Sequence, residues 1–107
     1  MKKQTAIYCR TTEPDPGGIK KQRTALKRFA GERAFGNLAV YEDDGFSARD
    51  HDRPAFTRLN QAIREGKIAR VLVANVACLE RNITETLRWV RANNIEIHAL
   101  DMRKEPS

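Results

Sequence analysis

The chain has 107 residues, enough for a single domain, and its 40% hydrophobic and 32% charged composition excludes a disordered or collagen-like chain. No apolar run approaches the ~20 residues of a membrane helix, and two cysteines, Cys9 and Cys78, are too few for a disulfide framework, so a reduced, cytoplasmic protein without a signal peptide is expected. The formal net charge of +6 is concentrated in residues 19–35, where Lys20, Lys21, Arg23, Lys27, Arg28 and Arg33 face only Glu32; such a stripe suits a polyanion such as nucleic acid, or is a solvated helix face.

In chain order, residues 4–9 read as a short buried strand. The stretch Glu13-Pro14-Asp15-Pro16-Gly17-Gly18 reads as loop, with the glycine pair as a turn; it lacks the lysine pattern of a P-loop. Ile19, Leu26, Phe29 and Ala30 recur at helical spacing and predict an amphipathic helix from about 19 to 34, stopped by Gly36-Asn37. Leu38-Ala39-Val40-Tyr41 is a second strand, followed by an acidic, turn-rich stretch over 42–52. Asp52 is positioned to cap a helix with Pro54 in its first turn and Phe56, Leu59 and Ile63 on its apolar side; Gly66 closes it. Val71-Leu72-Val73-Ala74 is a third strand, apolar throughout as expected with both faces covered. Asn82 with Glu85 resembles a capping box for a helix carrying Leu87 and Val90 and ending at Asn93-Asn94. Residues 95–100 form a fourth strand.

This alternation predicts an α/β fold of three layers: a mostly parallel sheet of four or five strands with helices on both faces, joined by right-handed crossovers. Residues 1–107 form one domain. Ligands of such sheets bind beyond the carboxyl ends of the strands, which selects the loops 10–18, 42–52 and 75–82. In the first, Tyr8, Arg10 and Thr12 share a strand face, and an arginine beside a hydroxyl suits phosphoryl transfer, although polar loop residues look the same. In the second, Glu42, Asp43, Asp44, Asp50 and Asp52 have the chemistry for Mg²⁺, but turn residues and helix caps explain them more simply. In the third, Cys78 has no histidine partner and reads as a packing residue. His51 and His98 have no partner at ligand spacing; His98 and Trp89 read as structural.

Taken together, the loops resemble the catalytic domain of the serine site-specific recombinases, the resolvase/invertase family. Ala6-Ile7-Tyr8-Cys9-Arg10-Thr11-Thr12 is similar to its Tyr-x-Arg-x-Ser opening. Ile19-Lys20-Lys21-Gln22-Arg23-Thr24-Ala25-Leu26 is similar to its Ile-x-x-Gln-x-x-x-Leu helix start. Tyr41 to Ala48, followed by Asp52-Arg53-Pro54, resembles the acidic loop that ends in Ser-Gly and then Arg-Pro. Leu79-Glu80-Arg81-Asn82 stands where the family carries Asp-Arg-Leu-Ser-Arg-Asn. The blocks come in the family's order and cover nearly the whole chain.

The resemblance implies a flavodoxin-like sheet and metal-free, cofactor-free transesterification of a DNA phosphodiester through a phosphoserine link. It matches Arg10, Arg53 and Arg81 to catalytic arginines, Thr12 to the nucleophile, and Tyr8, Gln22, Asp43 and Ser47 to supporting positions. The departures cluster. Threonine's β-branch stiffens χ1 and crowds an in-line attack. The family's aspartate–arginine pair is replaced by Ala77 and Cys78, and losing that cation removes roughly 3 kcal/mol of transition-state stabilisation by analogy with one lost oxyanion donor. Glu80 adds negative charge where the family has serine. The family's dimerisation helix and helix-turn-helix domain are not expected after Leu100.

Three readings of function follow. The first is an impaired recombinase-type domain that binds DNA phosphates through Lys20, Lys21, Arg23, Lys27 and Arg28, or binds a recombinase, another protein or itself. The second is an active or residual strand-transfer enzyme with Thr12 as nucleophile. The third is an unrelated small α/β regulatory or nucleotide-binding domain.

Overall fold

A computed structural model describes residues 3–50, 52–79 and 83–100. Strand β1 (Gln4–Thr11) leads into helix α1 (Pro16–Glu32), then β2 (Leu38–Asp44), α2 (Pro54–Arg64), β3 (Ile68–Val73), a 3₁₀ turn (Val76–Cys78), α3 (Ile83–Asn93) and β4 (Glu96–Ala99). The four strands form one sheet in the order β2-β1-β3-β4, and every pairing is parallel. The carboxyl end of β1 therefore lies between those of β2 and β3, at the point where the connections diverge and side chains from three loops can meet.

Alternation along β1 builds the two layers beside the sheet. Ile7 and Cys9 face α1, packing with Ile19, Leu26, Ala30 and Leu72. Ala6 and Tyr8 face the other way, among Phe56, Leu59 and Ile63 of α2 and Val71 and Val73 of β3. Trp89 of α3 joins this second layer, its ring 5.7 Å from that of Phe56 and its indole N–H donating to Asn60 Oδ1 at 2.7 Å. His98 packs against the rings of Phe29 and Phe35 at 5.9 and 5.5 Å.

Helix boundaries depart from the pattern-based expectation in instructive ways. Helix α1 begins at Pro16, so Gly17 and Gly18 form its first turn instead of a separate turn. Proline presets φ at the first helical position, and the Asp15 carboxylate accepts the Gly18 N–H at 3.0 Å. A Cβ on Gly18 would collide with that carboxylate. The helix stops at Glu32, before Gly36, because Ala34 takes a left-handed φ of 58°.

The acidic stretch is partly strand: β2 runs on to Asp44. Asp52 is exposed and does not cap α2; the residue preceding that helix is Arg53, which makes no side-chain cap. On α3, Leu87 is 50% exposed while Thr86 is buried, so the inward face is rotated from the one that Leu87 suggested. The caps expected at Asn82, and the residues His51, Glu80 and Arg81, lie outside the described residues.

Candidate functional site

Asp43 organises the carboxyl edge of the sheet. It sits near the end of β2, paired with Arg10 of β1, and is almost completely buried. Its Oδ1 accepts the Ala55 N–H at 2.9 Å, and its Oδ2 accepts the Phe56 N–H at 2.9 Å and the Tyr8 hydroxyl at 2.6 Å. The carboxylate thus caps α2 from across the sheet, satisfying amides that a helix leaves unpaired. Burial, and then the hydrogen bond to Asp43, push the Tyr8 phenol well above its ordinary range.

Arg53 lies beside this cap and is 4% exposed. Its guanidinium donates to the Cys78 carbonyl at 3.1 Å, the Leu79 carbonyl at 2.8 Å and the Tyr8 hydroxyl oxygen at 3.4 Å. It also lies over the Phe56 ring, 3.9 Å from the centroid, a stacking that suits a planar cation.

Arg10 comes off the end of β1 on the same side. Its Nε donates to the Cys78 carbonyl at 3.1 Å and its Nη2 to the Ala77 carbonyl at 2.7 Å. Its Nη1 donates to the Phe46 carbonyl at 2.8 Å and to Thr12 Oγ1 at 3.2 Å. One guanidinium therefore ties three loops together. Gln22 of α1 fixes the arginine's backbone, accepting its N–H at 3.1 Å and donating to its carbonyl at 3.0 Å.

The first two loops are also stitched to each other. Asp44 Oδ1 accepts the Thr11 hydroxyl at 2.5 Å and the Asp15 N–H at 2.6 Å. Gly45, at φ 88°, donates to the Thr11 carbonyl at 2.9 Å, with Pro14 against its Cα. The acidic loop therefore does not converge on a cation. Glu42 pairs with Arg23, Asp43 caps α2, Asp44 holds Thr11, and Asp50 accepts the Ser47 N–H at 2.6 Å. Among the described residues no group of three His, Cys, Asp or Glu side chains is placed to hold a metal.

Between these loops lies an open depression of about 220 Å³, lined by Arg10, Thr12, Ser47, Ala48, Arg49 and Ala77. Thr12 is exposed at its mouth. The structure thus brings Tyr8, Arg10, Thr12, Gln22, Asp43, Ser47 and Arg53 to one edge of the sheet; Arg81 lies outside the described residues. Arg49 was not legible as a site residue, because it is a lone cation in a loop rich in carboxylates. Its only signal was its place two residues after Ser47.

The basic stripe is separate from this depression. Lys20, Lys21, Lys27 and Arg28 are exposed on α1, whose opposite side buries Ile19, Leu26 and Ala30. Arg23 departs from the stripe, turning to Glu42 of β2. The two cysteines are free thiols and buried; burial, then Glu42 and Cys78, push the Cys9 thiol up to about 12.

Comparison with known proteins gives this geometry a family. Residues 5–107 match the model of the resolvase N-terminal domain. The chain is similar to the N-terminal catalytic domain of TP901-1 integrase, at 29% identity and a TM-score of 0.80 over 92% of this chain and 79% of that one. It is similar to the first open reading frame of transposon ISC1904 from Sulfolobus solfataricus P2, at 25% identity and a TM-score of 0.73 over 97% and 71% of the two chains. A resolvase family site-specific recombinase from Streptococcus pneumoniae, 22% identical, shares the fold at a TM-score of 0.74 over 97% and 76%. A sequence search of the curated proteins finds no match. Among the described residues no helix is long and apolar enough to cross a membrane.

The expectation of an unrelated regulatory or nucleotide-binding domain is overturned by the family match, which spans nearly the whole chain. With its four-stranded parallel sheet and its loops in the family's order, this chain belongs to the resolvase family of serine recombinases, as a catalytic-type domain related to site-specific recombination.

Proposed function

We propose that the domain serves site-specific recombination as a DNA-contacting module whose own strand-transfer chemistry is impaired. The observation that carries this reading is the destination of the arginine donors. Both Arg10 and Arg53 direct their guanidinium groups at the chain's own carbonyls, at Phe46, Ala77, Cys78 and Leu79. They hold loops together instead of reaching outward for the non-bridging oxygens of a phosphate. Thr12 in the nucleophile's place, and Ala77 and Cys78 in place of an aspartate–arginine pair, support the same conclusion.

Binding would run through Lys20, Lys21, Lys27 and Arg28 on the outward face of α1, a phosphate-directed interaction with little sequence preference. We assign this action to the cytoplasm, on DNA, beside a recombinase, another protein or a second copy of the chain, in a protein descended from a mobile element. No cofactor or metal enters the proposal.

A second reading, residual strand transfer with Thr12 as nucleophile, is favoured by one interaction: exposed Thr12 Oγ1 lies 3.2 Å from Arg10 Nη1. Fluorescence anisotropy with labelled duplex DNA, from low to physiological salt, separates the two when wild type is compared with Thr12→Ala and the products are run on a denaturing gel. The proposal expects equal, steeply salt-dependent binding and no covalent adduct. A wild-type adduct that disappears in Thr12→Ala establishes the enzyme instead, and no binding at low salt removes the DNA-contacting role.

A further inference from the structure

Four exposed cations on α1 stand in two rows. Lys20 and Lys27 are seven residues apart, and so are Lys21 and Arg28. Seven residues make two helical turns less about 20°, with a rise of about 10.5 Å. Each pair therefore lines up along the helix, and the rows stand about 100° apart around its axis. None of the four side chains makes an ion pair among the described residues.

The strip between the rows is low. A depression of about 440 Å³ lies there, lined by Gly17, Thr24 and Ala25 together with Lys20, Lys21 and Arg28. Gly31 continues the strip, with open space where a Cβ would stand. The opposite side of the helix is closed, with Ile19, Leu26 and Ala30 buried. Helix α1 thus presents a half-cylinder with cations on both shoulders and small side chains along its crest.

Cations on both shoulders call for phosphates on both sides and no bulk between them. The major groove of B-DNA is about 12 Å wide between its backbones, and an α-helix with its side chains is about 10–12 Å across. The minor groove, at about 6 Å, is too narrow for it. Among the described residues no aromatic ring lines the depression, so a single strand finds no stacking platform there.

We infer that α1 docks along the major groove of duplex DNA, with Lys20 and Lys27 on the phosphates of one strand and Lys21 and Arg28 on those of the other. The inference rests on the DNA-contacting reading of this helix and deepens it: the ligand is a duplex and the contact is two-stranded. Gly17, Thr24 and Gly31 then face the base edges. Of these only Thr24 carries a side-chain hydrogen-bonding group, so phosphate contacts dominate and sequence preference stays weak.

Fluorescence anisotropy across salt, with a labelled duplex, tests the placement. Lys20→Gln/Lys27→Gln and Lys21→Gln/Arg28→Gln should each weaken binding and lower the salt slope by about 1.8, which is about 0.9 for each of two phosphates. The substituted side chains are all exposed, so the variants keep the fold. A second duplex carries glucosylated 5-hydroxymethylcytosine, whose sugar fills the major groove without altering the charge. Wild type should bind it at least tenfold more weakly than the plain duplex at the same salt.

Equal binding to the two duplexes, or a loss confined to one row of cations, overturns the groove placement and leaves the DNA-contacting role of α1 standing. Binding that is indifferent to both rows removes that role itself, and the placement with it.

Discussion

Arg10 and Arg53 meet on a single oxygen: the Cys78 carbonyl accepts Nε–H of the first and Nη1–H of the second, both at 3.1 Å. Two like charges are held close because the carbonyls of Ala77, Cys78 and Leu79 present a row of negative dipoles to them. The turn after β3 is thereby fastened to β1 and to the start of α2. At this edge of the sheet the two arginines serve as struts.

The strut role of Arg53 predicts a stability effect larger than that of a surface arginine. Arg53→Met should destabilise the domain by about 2–4 kcal/mol in urea unfolding, since buried carbonyls lose charge-assisted donors. Arg53→Lys should recover little of this, because an ammonium can neither stack on Phe56 nor serve three acceptors in one plane. A Lys variant as stable as wild type would refute the role.

Asp43 links the stability of α2 to that of the sheet. Asp43→Ala removes the acceptor for two helix amides and for the Tyr8 hydroxyl, and should cost about 3 kcal/mol. Tyr8→Phe should cost about 1 kcal/mol, and the double variant less than the sum, because one hydrogen bond is common to both. Strict additivity in the cycle would contradict the 2.6 Å hydrogen bond.

The Cys9 thiol gives stability a pH dependence on the alkaline side. Its folded value of about 12 stands above its ordinary 9.0. Above 9.0 the unfolded chain releases a proton that the native state keeps, so the unfolded state binds fewer protons and stability falls as pH rises. The contribution is complete below 9.0 and is lost between 9.0 and about 12, with a slope approaching ~1.4 kcal/mol per pH unit. Tyr8, raised in the same sense, steepens the fall above 10.0. Urea midpoints measured from about pH 8 upward for wild type and Cys9→Ala check this; parallel curves would reject it.

The α1 stripe predicts unequal effects of charge removal. Glutamine at Lys20, Lys21, Lys27 or Arg28 should weaken duplex DNA binding and lower the salt slope by about 0.9 for each phosphate no longer neutralised. Arg23→Gln should change both less, because that guanidinium is already paired with Glu42. An Arg23 effect equal to that of Lys27, read by anisotropy across salt, would remove the distinction.

The Asp15 cap offers a local test. Gly18→Ala places a Cβ against the carboxylate that caps the helix, and should lower stability by about 1 kcal/mol despite alanine's better helix propensity. A stabilised variant would show that the cap contributes little.

Much of the architecture was legible because it follows from short-range pattern. A short, continuously buried run at residues 4–9 and helical spacing at Ile19, Leu26 and Ala30 place the elements to within a few residues. The same logic misled where a local signal competed with a distant one. Asp52 has the residue type of a helix cap and stands beside α2, yet Asp43, brought near by the register of β2 on β1, takes the amides. Leu87 is apolar at a helical position, yet Thr86 is the buried residue and Trp89 packs on α2, because α3 is oriented by the Phe56 ring and by Asn60.

By itself the sequence determined the α/β class, the order of the elements, the basic face of α1, and several of the described residues that reach the carboxyl edge of the sheet, though not Arg49. These depend on period, composition and strand direction, which are properties of contiguous residues. Only the tertiary structure decided what those residues do there. Arg10 is joined to a carbonyl 68 positions away, and Tyr8 to a carboxylate 35 positions away. Which donor meets which acceptor at such separations is set by the parallel register of three strands and by burial, which makes any unpaired polar group costly. That constraint turned two arginines inward, while Arg49 stays exposed.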